Sequence, residues 1–391
     1  MIQDKIRRKE IMEYQISYEH AVSNRGNLER MKKLMQRAAA GESLTIGFLG
    51  GSITQGSLAS TARLCYAYHV YEWWCRAFPK AQFTYLNAGI GATDSQFGCA
   101  RVQEDLLALH PDFVIVEFSV NDEPSEHYME TYEGLIRNIL SDEKKPALML
   151  VHNVFYDSGK NAQLYHSRIG RYYDLPSVSM QSTIYPEVLS GRIPNRDITP
   201  DDLHPNDAGH ILVASVITFY LAQIQEQMMQ QEDPEQKLPV PLTQNGYEDS
   251  VRYRNMDLGC QPILHGFLPD MIKQTEITDI FRNGWTAAAQ GDSIHFAIRA
   301  SSIAVQYRKT IALPAPVAEL ILDQDEQHPF VLDANFDEAW GDKLQMDTIL
   351  DHGENCLHTI DIRISQTHVN DQKPFYLVSV IASGNKEYKF S

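Results

Sequence analysis

Leu44-Thr45-Ile46-Gly47-Phe48-Leu49-Gly50-Gly51-Ser52-Ile53-Thr54 decides the fold. A short, unbroken apolar run that ends in turn residues reads as a strand buried on both faces. The glycines at its end let the chain turn sharply and let another group approach closely. The serine behind them lies where backbone N–H groups favour a developing negative charge. By itself the stretch is equally a helix cap or a phosphate-binding loop. It lacks the Gly-Lys-Ser/Thr ending of a nucleotide-binding loop.

The same alternation continues outward. Further strands are expected at 82–86, 112–118, 147–151 and 175–180, with helices at 63–78, 96–109, 128–140 and 207–229. A helix over 12–40, stopped by Gly41, precedes them. Apolar strands alternating with helices indicate a parallel sheet covered on both faces, in which ligands sit beyond the carboxyl ends of the strands. The composition then shifts at Gln230-Gln231-Glu232-Asp233-Pro234-Glu235 and Pro239-Val240-Pro241, which read as a linker. Alternating segments at 293–298, 303–307, 318–322, 358–364 and 375–380 follow and suggest an antiparallel sandwich. The expected organisation is an α/β domain over 1–230, a linker over 231–245 and a β-sandwich over 246–391. A chain of 391 residues fits two such cores better than one.

The formal charge of -17 argues against nucleic acid and against an anionic membrane surface. No stretch reads as apolar enough to cross a bilayer. Residues 1–10 are charged throughout and lack the apolar core of a signal peptide, so a cytoplasmic protein is expected. Cys65, Cys75, Cys99, Cys260 and Cys356 form no CxxC motif. Free thiols are expected, and no zinc site.

Four motifs carry chemistry, three of them directly after the first three strands. Ser52 offers a hydroxyl. Gly91, in Asn87-Ala88-Gly89-Ile90-Gly91-Ala92-Thr93, offers a backbone N–H. Asn121, in Ser119-Val120-Asn121-Asp122, offers a side-chain amide that binds an oxyanion without changing charge. Asp201 and His204, in Asp201-Asp202-Leu203-His204-Pro205, pair an orienting carboxylate with a base that takes a proton near neutral pH. Asp202 is an alternative acid, although spacing favours Asp201. Each motif alone has an ordinary reading as a cap, a turn or a surface histidine. Together, in this order, they supply what acyl transfer through a serine ester needs.

These motifs resemble the four sequence blocks of the SGNH, or GDSL-like, hydrolases, over about residues 44–222. The first block reads Gly-Gly-Ser-Ile in place of Gly-Asp-Ser-Leu. The resemblance implies a flavodoxin-like three-layer α/β/α domain. Ser52 would be the nucleophile, with Asp201 and His204 as acid and base. The oxyanion hole would be the Ser52 N–H, the Gly91 N–H and the Asn121 side chain, and no cofactor or metal would be needed. The two-domain layout, with a jelly-roll-like β-domain that is a candidate carbohydrate-binding module, is similar to that of carbohydrate acetylesterases. The implied substrate is an acetylated oligosaccharide from mannan or xylan. A homo-oligomer is compatible with this reading. A lipase or thioesterase acting on small acyl esters, and a non-catalytic carbohydrate-binding protein, are the alternatives. Trp340 and Asp122 are candidate substrate contacts. Trp285, Tyr66, Tyr68, Trp73 and Trp74 are further candidate sugar platforms.

Overall fold

The computed structural model describes residues 14–230, 233–256, 259 and 261–384, and its contacts separate into two units, Met1–Gln244 and Asn245–Ser391. The first unit is built on six strands: β1 (Val22–Asn24), β2 (Ser43–Gly50), β3 (Gln82–Gly89), β4 (Phe113–Glu117), β5 (Ala147–His152) and β6 (Ser177–Ser179). Their order is β1-β6-β5-β4-β2-β3. From β2 to β6 all pairings are parallel, and β1 adds an antiparallel edge. Every residue of β4 and β5 is buried, which is why those segments are apolar without alternation.

The five parallel strands follow the flavodoxin-like order. The chain leaves β2 for β3 on one side and returns to β4 on the other, so the switch point lies between β2 and β4. Register then matters. Gly50 pairs with both Gly89 and Glu117, so three strands end flush and their loops emerge side by side.

One face of the sheet is covered by the helices Glu29–Ala40, Tyr66–Ala77 and Asp207–Glu226. Their Met31, Leu34, Val70, Trp74, Val213 and Ile217 pack on Ile46, Phe48, Ile115 and Met149. The helices Ser95–Asp105, Glu126–Ser141 and Gln163–Tyr172 form the opposite layer, where Gly98 lets Phe118 and Leu135 close in. The Asp207–Glu226 helix is, by length and composition, apolar enough to span a bilayer, contrary to the sequence reading. About half of it is buried in this core.

Two expectations are corrected. The helix foreseen over 12–40 begins only at Glu29, and the described residues before it are extended or turned, including β1. Gly26 breaks it: its φ is +65°, and a Cβ there would lie 2.2 Å from Pro176 N. Met12 and Glu13 lie outside the described residues. The presumed linker is a strap bound to the first unit. Asp233 pairs with Arg25 and Lys32, Arg137 donates to Pro239 O, and the buried Glu133 accepts from the N–H groups of Leu242 and Thr243.

The second unit has two antiparallel sheets. One runs β15 (Lys343–Leu350), β12 (Ser302–Lys309), β17 (Phe375–Ser383), β10 (Trp285–Ala287) and β9 (Leu268–Pro269), with β7 (Val251–Tyr253) also on β17. The other runs β14 (Phe330–Asp333), β13 (Val317–Leu322), β16 (Cys356–Gln366), β11 (Ser293–Ala300) and β8 (Ile263–His265). The period of two predicted for these segments places Ile294, Phe296 and Ile298 from one sheet against Trp285, Val305 and Leu377 from the other in one core. Cys65, Cys75, Cys99 and Cys356 are free thiols, and Cys260 lies outside the described residues.

Candidate active site

Ser52 opens a one-turn helix, Ser52–Gln55, directly after β2. Its Oγ lies 2.8 Å from His204 Nε2, and His204 Nδ1 lies 2.6 Å from Asp201 Oδ2. Residues 152 positions apart are thus joined in one hydrogen-bonded chain. The loop that delivers the acid and base is fastened locally. Asp201 Oδ1 accepts from the N–H groups of Leu203 and His204, a turn closed by the aspartate itself. Partial burial raises the Asp201 carboxyl, but the hydrogen bonds from the His204 ring and from these two N–H groups outweigh it and hold the pKa below the ordinary value. Asp201 therefore stays anionic, as a group that stabilises an imidazolium must. Asp202 faces away: Asn195 and Arg196 hold its carboxylate, and its carbonyl receives Tyr156 N–H. The structure therefore pairs His204 with Asp201 and not with Asp202.

Asn121 follows β4, and its carboxamide lies against Gly51, one residue before the serine. A Cβ at position 51 would stand 2.2 Å from Asn121 Oδ1, so the glycine is required by close approach. Gly91 lies beside the nucleophile, a Cβ there standing 3.7 Å from Ser52 Cβ. Gly89 is different: it lies within β3, its N–H is taken by Asn87 Oδ1, and a Cβ there would strike Gln55 N. The Gly91 N–H donates to Gln55 Oε1 at 2.6 Å.

Three buried side chains that the sequence reading did not single out hold this arrangement. The Arg101 guanidinium donates to Gly50 O and Ala88 O and pairs with Asp105, so one cation ties the ends of β2 and β3 together. The i, i+4 spacing of Arg101 and Asp105 is the signal that could have revealed it. Glu117 Oε1 accepts from both N–H and Oγ of Ser119, at the start of the loop that carries Asn121. Burial pushes the Glu117 carboxyl up to about 7. His210 accepts from Tyr66 N–H and reaches Ser57 O, and burial lowers its pKa to about 4, so it bridges the Ser57 loop and the start of the Tyr66–Ala77 helix as a neutral ring.

Asp122 is corrected. Its side chain has no exposed surface, its Oδ1 accepts from Ser95 N–H, and its Oδ2 meets His166 Nε2 at 2.9 Å. Burial raises its pKa to about 7. It anchors the Asn121 loop to the neighbouring helix and offers nothing to a substrate.

A model of the GDSL-like Lipase/Acylhydrolase family matches residues 48–212, a span containing all four motifs. No curated protein matches the chain. Two crystal structures of a two-domain esterase (CEX) active on acetylated mannans, one co-crystallised with mannopentaose, are similar to it at 60% identity and TM-score 0.92. The match covers 96% of this chain and 100% of that one. The chain belongs to the GDSL-like lipase/acylhydrolase family.

Among the aromatic residues considered as sugar platforms, this GDSL-like hydrolase buries Trp285, Trp74 and Tyr66 in its two cores. Tyr66 instead hydrogen-bonds Thr54, two residues after the nucleophile. Tyr68 and Trp73 are half-buried beside other rings. Trp340, in the second unit, is 57% exposed, with its edge-on neighbour Phe336 and its N–H on Glu338. A cavity of about 250 Å³ lined by Glu29, Arg30, Arg37, Asp112 and Lys145 lies at the amino ends of the strands, away from Ser52. Among the described residues no group of His, Cys, Asp and Glu is arranged to hold a metal ion.

Proposed function

We propose that this chain is a serine esterase that removes O-acetyl groups from acetylated oligosaccharides, with mannan-derived chains as the first substrate class and xylan-derived chains as the second. The observation that carries the reading is the unbroken chain from Ser52 Oγ through His204 to Asp201 at 2.8 and 2.6 Å. The likeness at 60% identity to an esterase active on acetylated mannans supports the substrate class.

The reaction is a double displacement. His204 Nε2 takes the Ser52 proton as Oγ attacks the acetyl carbonyl carbon. The oxyanion is received by the N–H groups of Ser52 and Gly91 and by the Asn121 amide, the Gly91 N–H once Gln55 Oε1 has given it up. The C–O bond to the sugar breaks, and the sugar hydroxyl leaves with the proton from His204. Water then attacks the acetyl-enzyme, His204 takes its proton, and acetate is released as Ser52 is restored.

Acetylated manno- and xylo-oligosaccharides, incubated with the wild type and with Ser52→Ala and followed by mass spectrometry, test this. Stepwise loss of acetyl groups with the wild type alone is expected. No loss from either, alongside turnover of a short model ester, would leave a serine hydrolase and overturn the carbohydrate substrate.

A further inference from the structure

The Gly91 N–H, which the proposed function assigns to the oxyanion, is already engaged. Gly91 has a single N–H, and it points at Gln55 Oε1, 2.6 Å away. That oxygen belongs to a carboxamide, an sp² acceptor of the same kind as an ester carbonyl. It sits beside the nucleophile: the Cβ position of Gly91 is 2.9 Å from Gln55 Oε1 and 3.7 Å from Ser52 Cβ. An acetyl carbonyl that is to use the Gly91 N–H must take the place of Gln55 Oε1. Gln55 is able to leave, because it is exposed and ends the one-turn helix that begins at Ser52.

We propose that Gln55 is a displaceable placeholder that determines specificity: it closes the oxyanion position and yields to substrates whose hydroxyl groups take up its released carboxamide. The proposal rests on the reading of Gly91 as an oxyanion donor under the proposed function. Displacement costs every substrate one hydrogen bond. A carboxamide released from Gly91 carries both a donor and an acceptor that a substrate hydroxyl can meet. A sugar bearing neighbouring hydroxyls recovers the lost bond, whereas a phenyl acetate has none to offer. The residue therefore taxes small esters and spares carbohydrate esters.

The test compares wild type, Gln55→Ala and Gln55→Asn, the last one methylene too short to reach Gly91, on p-nitrophenyl acetate and on an acetylated manno-oligosaccharide. Both variants are expected to raise kcat/KM on p-nitrophenyl acetate about 2- to 10-fold, the worth of one hydrogen bond, with no gain on the oligosaccharide. An equal gain on both substrates, no gain on either, or a loss on the small ester overturns the proposal. Glycine-selective amide NMR separates its failure from that of the proposed function. The Gly91 proton, deshielded by a short hydrogen bond, moves upfield in both variants if Gln55 holds it, even in a protein that turns over neither ester. An unmoved resonance overturns the placeholder.

Discussion

At the scale of single residues, the site shows how neighbouring side chains of the same type receive different roles. Asp201 and Asp202 are adjacent carboxylates, yet one accepts from the histidine ring and the other from Asn195 and Arg196. Asp201→Asn is expected to lower kcat on a model ester about 10,000-fold, because an amide at this point stabilises the wrong tautomer and no imidazolium. Asp202→Asn is expected to cost no more than about tenfold, the size of one modest interaction. Steady-state kinetics on the two variants, with melting curves as a folding control, decide it, and the reverse ranking would move the acid to Asp202. Asn121→Ala should lower kcat about 100- to 1000-fold with little change in KM, since in the proposed mechanism its amide serves an oxyanion that exists only after attack. A loss confined to KM would place Asn121 in ground-state binding instead.

At the scale of elements, the site depends on strand ends that finish level. Gly50, Gly89 and Glu117 share one register, and Arg101 fastens the two glycine-bearing strands through their carbonyls. Arg101 is fully buried and its partner Asp105 nearly so. Arg101→Met removes the cation and leaves a buried carboxylate unpaired, which is expected to cost about 3–5 kcal/mol of unfolding free energy. A urea transition monitored on both proteins measures it, and a change below about 1 kcal/mol would show that the clamp carries little. The succession of strands and helices and the parallel sheet were legible from the alternation of apolar runs and helices, whereas the flavodoxin-like arrangement was implied only by the family resemblance. The clamp was not legible, because an arginine with an acid four residues on looks like a solvated helix pair until the sheet beneath it is known.

At the scale of the whole molecule, two sets of buried groups pull stability in opposite directions as pH changes. Glu117 and Asp122 have folded pKa values near 7, raised by burial from 4.5 and 3.8. Between these limits the folded state holds more protons than the unfolded one, so their contribution is full below the unfolded values and is lost as pH rises toward 7. His152 and His166 are lowered by burial to about 3 and His210 to about 4, from 6.5. There the unfolded state holds more protons, so stability falls as pH drops below 6.5. Acid unfolding with uptake of protons by these histidines is expected below about pH 6, and calorimetry in buffers of different ionisation enthalpy reads it. Glu117→Gln isolates the opposing set. Relative to wild type it should gain stability as pH rises from about 4.5 to 7, by at most about 1.4 kcal/mol per pH unit. A pH-independent difference would mean that Glu117 does not titrate in this range.

The chain's own pattern determined the α/β class, the succession of strands and helices, the sandwich in its second half, and the residue types needed for acyl transfer. These are local properties: apolar runs, a period of two, turn residues at strand ends, and an aspartate and a histidine close enough in sequence for one loop to carry both. The tertiary structure decided what depends on distant segments meeting. It brought Ser52 to His204 and took Asp122 and Trp285 out of solvent. It broke the first helix at Gly26 against Pro176, bound the presumed linker to Glu133 and Arg137, and set Gln55 on the Gly91 N–H. Burial and hydrogen-bond partners are set by residues tens or hundreds of positions away, so no local reading of the sequence contains them.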